Sequence, residues 1–347
     1  MVIYYSTIII VILSLNIEGE RNIRTKYSLG YFCATAILVM IAGLRYQVGT
    51  DYSQYVNNYL YLYTQTRRGI FEQPAVTLIA RLAQLIYDDY GTWFFLMSCL
   101  TVIPVMTFIG KRNNARNLCV LFYILLGFWH FSFNLVKQSV AATILLCGYN
   151  YIRDRKFKNW LIICLVAATF HISAIIMIPI YFIINTNIKR KSIITILAIG
   201  TVVFFSYDYL FNLITFLKQG QSLVHGYTKT ESVNLLRIIV GWIPIIICLF
   251  YRQHILYKDD KDFSCLFYLS LFNSVINSAT INSIYLYRFC CYTNIYNILF
   301  IPMVLNNVKG RDKKMIKIVT LLVYFVFWSY DLYKGSTTVD YHFIFGR

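Results

Sequence analysis

Two stretches decide the fold class: Ile8-Ile9-Ile10-Val11-Ile12-Leu13 and Ile193-Ile194-Thr195-Ile196-Leu197-Ala198-Ile199-Gly200-Thr201-Val202-Val203. A strand of a membrane barrel alternates apolar and polar residues, and neither stretch does. Similar runs recur along the whole chain, so the reading extends outward from them. Of 347 residues, 58% are hydrophobic and 14% are charged, and the mean hydropathy is +0.58. A soluble domain carries roughly a quarter charged residues, so this surface is not mostly wet. A backbone in hydrocarbon must satisfy its own hydrogen bonds, which leaves a helical bundle. The expected fold is all-α: a polytopic integral membrane bundle of about 10 to 12 transmembrane helices, each needing about 20 apolar residues. No segment reads as a separate soluble domain, so residues 1–347 are expected to form a single membrane domain.

Hydropathy places spans at about 2–16, 28–44, 92–109, 117–133, 138–152, 190–206, 232–250, 263–281, 287–305 and 318–333. Met1 runs straight into apolar residues with no basic region before them, so the first segment reads as a retained span. Six basic loops set the orientation: 21–26, 111–116, 153–158, 189–191, 252–261 and 309–317. They hold 21 of the 32 Lys and Arg residues, and positive loops stay inside, so all six are expected to be cytoplasmic. The net charge of +17 then reads as a topology signal. Nucleic-acid binding would instead cluster basic residues on one soluble face.

One stretch breaks the parity. Both flanks of 159–184 look cytoplasmic, yet only one span's length of apolar sequence lies between them. A broken helical hairpin turning near Phe170-His171-Ile172-Ser173 resolves the conflict, with irregular backbone sheltered at membrane depth. The loops 45–91, 134–137, 207–231, 282–286 and 334–347 then face the periplasm or cell exterior.

Motifs of nucleotide-driven transport and of serine or zinc hydrolysis are absent. The nine cysteines lie in or beside apolar spans, form no CxxC pair and read as small hydrophobes. No metal site and no cofactor are expected. The many Tyr and Phe residues suit interfacial belts and, on the outer face, sugar stacking.

The informative residues are polar ones near membrane depth, where charges are costly and mark sites. Gly43-Leu44-Arg45-Tyr46-Gln47-Val48-Gly49-Thr50-Asp51-Tyr52-Ser53-Gln54-Tyr55 follows the second span. Arg45 falls at the outer boundary, Gly49 permits a tight turn, and Asp51 puts a carboxylate on the same loop. A guanidinium grips phosphate oxygens bidentately, and a nearby carboxylate accepts a hydroxyl proton. The same residues also read as a snorkelling Arg and a turn-capping Asp. Residues 75–87 read as an amphipathic surface helix, with positions 75, 78, 79, 82, 85 and 86 on its apolar face. Asp88 and Asp89 read either as a metal-holding pair or as caps of the next span. Lys137 lies in a short outer turn, directed at headgroups or into a cavity. His171 sits at the hairpin tip as a base or a structural residue. Arg237 and Arg288 add boundary cations.

Gly43-Leu44-Arg45-Tyr46, then Val48-Gly49-Thr50-Asp51-Tyr52 and Tyr55, resembles the hallmark of the EpsG family of Wzy-type polysaccharide polymerases. Lys137-Gln138-Ser139-Val140-Ala141-Ala142, the basic loop at 153–158 and Phe170-His171-Ile172-Ser173-Ala174 are similar to its second hallmark. Glu72 and Pro74, Arg288 and the tail Tyr341-His342-Phe343-Ile344-Phe345 also fit. One departure is Lys137, where the family usually has Arg; Lys keeps the charge and loses the planar fork.

The resemblance implies an inner-membrane enzyme whose active site faces outward. It joins undecaprenyl-diphosphate-linked oligosaccharide repeat units into O-antigen, capsule or exopolysaccharide. Flippase and chain-length regulator proteins are the partners it implies. Arg45, Lys137 and Arg288 would hold the leaving diphosphate, and Asp51 or His171 would activate the acceptor hydroxyl. Tyr52, Tyr55 and Gln138 would contact the acceptor. A lipid-linked oligosaccharide flippase and a membrane O-acetyltransferase are the competing classes.

Overall fold

The computed structural model describes residues 1–16, 29–112, 115–184, 188–206, 209, 233–251, 260–308, 310–334 and 340–346. The expected outer loop 207–231 therefore lies outside the described residues apart from position 209. So do Arg21, Arg24, Lys26, Arg252, Lys258 and Lys309 of the basic loops.

In chain order the described elements begin with α1 (Val2–Asn16), α2 (Leu29–Gly43), a two-residue strand β1 (Arg45–Tyr46) and α3 (Tyr52–Asn57), which runs on as a π-helix over Asn58–Tyr63. There follow α4 (Pro74–Ile86), α5 (Tyr90–Gly110), α6 (Arg116–Leu125), α7 (Val136–Cys147), α8 (Phe157–Phe170) and α9 (Met177–Ile183). Beyond these come α10 (Arg190–Phe205), α11 (Leu235–Phe250), α12 (Lys261–Ala279), α13 (Cys291–Asn294), α14 (Asn297–Asn307), α15 (Lys313–Lys334) and β2 (His342–Phe343), with several shorter helical turns between. The chain is a polytopic membrane helical bundle.

Composition explains the class. Helix α1 buries Tyr4, Ile8 and Val11 yet exposes Ile9, Ile10, Ile12 and Leu13. A helix that is apolar all round needs a non-aqueous medium beyond its protein neighbours. Side chains set the starts of other helices: Asp89 Oδ1 accepts the Gly91 N–H at 2.6 Å to start α5, and Asp260 Oδ1 accepts the Asp262 N–H at 2.9 Å to start α12. The capping reading of Asp89 is therefore correct. Asp88 accepts the hydroxyl of Tyr59 at 2.9 Å.

Among the described helices, α5 and α15 are long and apolar enough to cross a membrane. A third span results if Arg288–Asn294 and Asn297–Asn307, bent by 45°, count as one. Other apolar helices have 10–17 residues. At about 1.5 Å per residue these are shorter than the roughly 30 Å hydrocarbon core. Several sequence windows are thus interrupted helices. The window 117–133 breaks at Gly127, whose φ is +81°, and resumes as a short turn over Phe128–Phe131.

The expected amphipathic helix appears as α4, with Pro74 in its first turn. Val76, Thr77, Ala80 and Ala83 are buried, while Leu78, Leu82, Leu85 and Ile86 lie exposed. Small residues bring α4 close to α5, and the leucine face is left for the surroundings.

The described chain forms two units. The first comprises Met1–Asn150, Lys158–Ile175 and Ile318–Arg347; the second comprises Tyr151–Phe157 and Ile176–Lys317. In the first, α5 packs against α2, α4 and α7, and α1 against α2 and α6. In the second, α12 packs against α10, α11, α13 and α14. The second unit also joins the two ends of the parity-breaking stretch. Arg155 Nη1 donates to the carbonyls of Tyr181 and Ile184, each at 2.6 Å. The Phe157 ring lies 5.1 Å from that of Tyr181 and 5.0 Å from that of Phe182. Between these ends α8 stops at Phe170, and a 3₁₀ turn over Ile172–Ile176 leads into α9.

Candidate active site

The site grows from the segment after α2, in the first unit. Arg45 is only 2% exposed. Its guanidinium donates to the Ala42 carbonyl and, through Nη2, to the Phe133 carbonyl at 3.3 Å. It lies 4.6 Å from the Phe94 ring centre and 5.0 Å from that of Phe133. Burial lowers the Arg45 pKa to about 10, with Tyr52, Tyr341, Tyr4 and Tyr55 close enough to act on its charge. It stays cationic at neutral pH.

No carboxylate pairs with Arg45 among the described residues, and its Nε has no hydrogen-bond partner there. The Tyr4 hydroxyl is likewise buried without a hydrogen-bond partner among the described residues. An unbalanced buried cation beside an idle hydroxyl is costly to keep. Such a site is suited to an anion with several oxygens.

The backbone over this cation is fixed by distant parts of the chain. Arg45 pairs with Phe343 and Tyr46 with His342 in an antiparallel ladder. Beside it the Tyr341 hydroxyl donates to the Ile41 carbonyl at 2.6 Å, and the Ile344 N–H donates to the Leu44 carbonyl at 2.9 Å. The loop after β1 docks on the turn before α7. Asn134 Oδ1 accepts the Thr50 N–H at 2.7 Å, and the Tyr55 hydroxyl donates to the Asn134 carbonyl at 2.9 Å. Gly49 has φ +109°, and a Cβ there would meet Asn134 Oδ1 at 2.6 Å and the Phe133 carbonyl oxygen at 3.0 Å. Glycine is required on both counts.

Lys137 lies in the first turn of α7, just past the expected outer turn, and it and Gln138 are buried, which fits the inward of its two expected directions. Its ammonium donates to Gln73 Oε1 at 2.9 Å and approaches the Tyr63 hydroxyl at 3.4 Å. It lies 5.5 Å from the centre of the Tyr55 ring, and Tyr63 also donates to Gln73 at 2.9 Å.

The structure thus brings Arg45, Tyr52, Tyr55 and Lys137 into one constellation. Asp51 stands at its edge, accepting the Thr50 hydroxyl at 3.1 Å; it occupies the N-cap position of α3 without a capping bond from its side chain. His171 is held at the end of α8 by Ser173 Oγ, 2.6 Å from its Nδ1. Arg288, half-buried in a 3₁₀ turn, belongs to the second unit. Sequence reasoning missed Gln73, Tyr63, Asn134, Tyr4 and the ladder role of the tail. It also missed a buried pair, His130 Nε2 and Asp331 Oδ2, 3.8 Å apart. Both interrupt apolar runs, and that was the available signal.

No curated protein and no solved structure matches the chain. The model of the EpsG family matches residues 28–343, which contain every residue of the constellation. The chain therefore belongs to the EpsG family, a family of Wzy-like polysaccharide polymerases.

Proposed function

We propose that this membrane enzyme joins undecaprenyl-diphosphate-linked oligosaccharide repeat units into a surface polysaccharide on the outer face of the bacterial inner membrane. Membership of the family supports a polysaccharide polymerase in general. The observation that carries the finer reading is the buried Arg45 guanidinium, unbalanced by any carboxylate among the described residues, with its own Nε and the neighbouring Tyr4 hydroxyl left without a hydrogen-bond partner there. In this reading Arg45 and Lys137 hold the leaving diphosphate. Asp51 takes the proton of the acceptor hydroxyl as that oxygen attacks the anomeric carbon. The bond from that carbon to the diphosphate oxygen breaks, and the electron pair leaves with the lipid diphosphate. Cations already in place stabilise the departing charge, so the step needs no metal. Tyr52, Tyr55 and Gln138 border the acceptor. Arg288 is assigned the same chemistry, a cation for a lipid-borne phosphate, within its own unit.

The meeting of Arg155 and Phe157 with Tyr181–Ile184 supports a re-entrant hairpin over 159–184, which keeps both basic flanks on the cytoplasmic side. His171, at its break, is the competing base. Activity lost in Asp51→Asn and kept in His171→Ala selects Asp51; the reverse selects His171.

The test is a gel of surface polysaccharide from cells with the gene deleted, complemented with wild type or with Arg45→Ala. A ladder that collapses to a single repeat unit and returns only with wild type is the expected result. An unchanged ladder in the deletion sinks the proposal and favours a polysaccharide-modifying enzyme, whereas loss of every unit favours a flippase.

A further inference from the structure

The second unit contains a polar stripe that the diphosphate chemistry does not use. Helix α12 lies at the centre of this unit and carries Ser270, Asn273 and Asn277 at spacings of three and four, hence on one face. Asn297 of α14 belongs to the broken helix that packs on α12 and bends by 45° between Asn294 and Asn297. None of these four side chains is more than 4% exposed. Each has a polar atom without a hydrogen-bond partner among the described residues: Ser270 Oγ, Asn273 Nδ2, Asn277 Oδ1 and Asn297 Oδ1.

Polar residues that serve as interhelical glue spend their hydrogen bonds on one another. Part of the stripe does so. Thr293 donates to Asn273 Oδ1 at 3.1 Å, and Asn297 Nδ2 donates to Asn294 at 3.0 Å. The remaining four atoms are idle in the protein interior, where an unsatisfied polar group is costly. They mix donors and acceptors and carry no charge, a poor match to phosphate or a cation and a good one to hydroxyl groups. A discontinuous helix beside such groups is how membrane proteins line a site at depth.

We infer that the second unit carries a carbohydrate site, closed in this conformation, that takes the uncharged hydroxyl-bearing sugar chain of the substrate when the broken helix moves off α12. The ligand class rests on the polymerase reading; the site itself rests on the four idle atoms.

The experiment uses full-length protein in nanodiscs. Its probe is the lipid-free oligosaccharide released by mild acid from the host's own lipid-linked repeat units. Trp242 reports binding: it is the one tryptophan of the second unit, and its indole N–H donates to Ser278 Oγ on α12 at 2.9 Å. Trp242→Phe identifies its share of the fluorescence change. Asn277→Leu and Asn297→Leu are expected to weaken binding at least tenfold while leaving the melting temperature unchanged or higher, because each removes an unsatisfied polar group. Arg45→Ala is expected to bind the probe as wild type does. Wild-type binding in both leucine variants overturns the inference, and so does binding lost only in step with thermal stability. Should both leucine variants fail to fold, Ser270→Ala decides by the same criteria. A chain that binds the probe but whose deletion leaves the ladder intact removes the polymerase reading and keeps this site. A ladder lost on deletion, with wild-type binding in the variants, does the opposite.

Discussion

Asn134 Oδ1 accepts the backbone N–H of Thr50 at 2.7 Å across 84 positions of sequence. That contact holds the loop after β1 on the turn before α7, and Gly49 is the residue that lets it form. Gly49→Ala adds a methyl group 2.6 Å from the same oxygen at φ +109°. Gly310 has φ +107°, and a methyl group added there would meet nothing within 4 Å. Both alanine variants carry the backbone strain, about 1–3 kcal/mol, and only Gly49→Ala also displaces Asn134. Polymer gels are expected to show at least a tenfold loss for Gly49→Ala and near-normal chains for Gly310→Ala.

Arg45→Lys is expected to behave like Arg45→Ala. Burial that lowers a guanidinium to about 10 also disfavours a charged ammonium, whose ordinary pKa is already lower. Lysine further lacks the planar fork that reaches two carbonyls while lying against two phenyl rings. Long chains from the lysine variant at neutral pH would show that charge alone suffices.

Gln73→Glu puts a carboxylate where Lys137 now finds a neutral oxygen at 2.9 Å. The pair gains stability and the site loses net positive charge. The variant is expected to melt at or above the wild-type temperature and to make at least tenfold less polymer. The two readouts move in opposite directions, which a packing defect does not produce.

Gly91→Ala sets a methyl group against the tip of the Ile344 side chain and against Asp89 Oδ1, so it perturbs the tail and the cap of α5 together. Truncation after Asp340 removes the tail contacts. Each is expected to reduce polymerisation, the truncation more strongly, because the tip of Ile344 can turn aside from the methyl group whereas truncation removes the ladder to Arg45 and Tyr46. Polymer gels showing the weaker loss for the truncation would separate Gly91 from the tail.

The membrane class was legible because composition and unbroken apolar runs leave one solution for a backbone in hydrocarbon. Arg45 and Lys137 stood out because charges beside apolar spans on the expected outer side go against the charge rule and are costly at depth, and Gly49 because it permits a tight turn. The environment of Lys137 was not legible, because hydropathy does not say which face of α7 meets Gln73. The leucines of α4 were assigned one face correctly, while its packing followed Ala80 and Ala83, whose small size hydropathy undervalues. The pairing of Arg45 with Phe343 was invisible: two-residue strands have no period, and their partner is remote.

That remoteness has a consequence for biosynthesis. The tail bonds back across 300 positions, from Tyr341 to Ile41. At roughly 5–20 residues per second of synthesis, the segment around Arg45 waits on the order of 15–60 s for its strand partner. During that interval the nascent chain has its motif but not the ladder that fixes it. Any activity that depends on the ladder is therefore delayed until the tail has emerged.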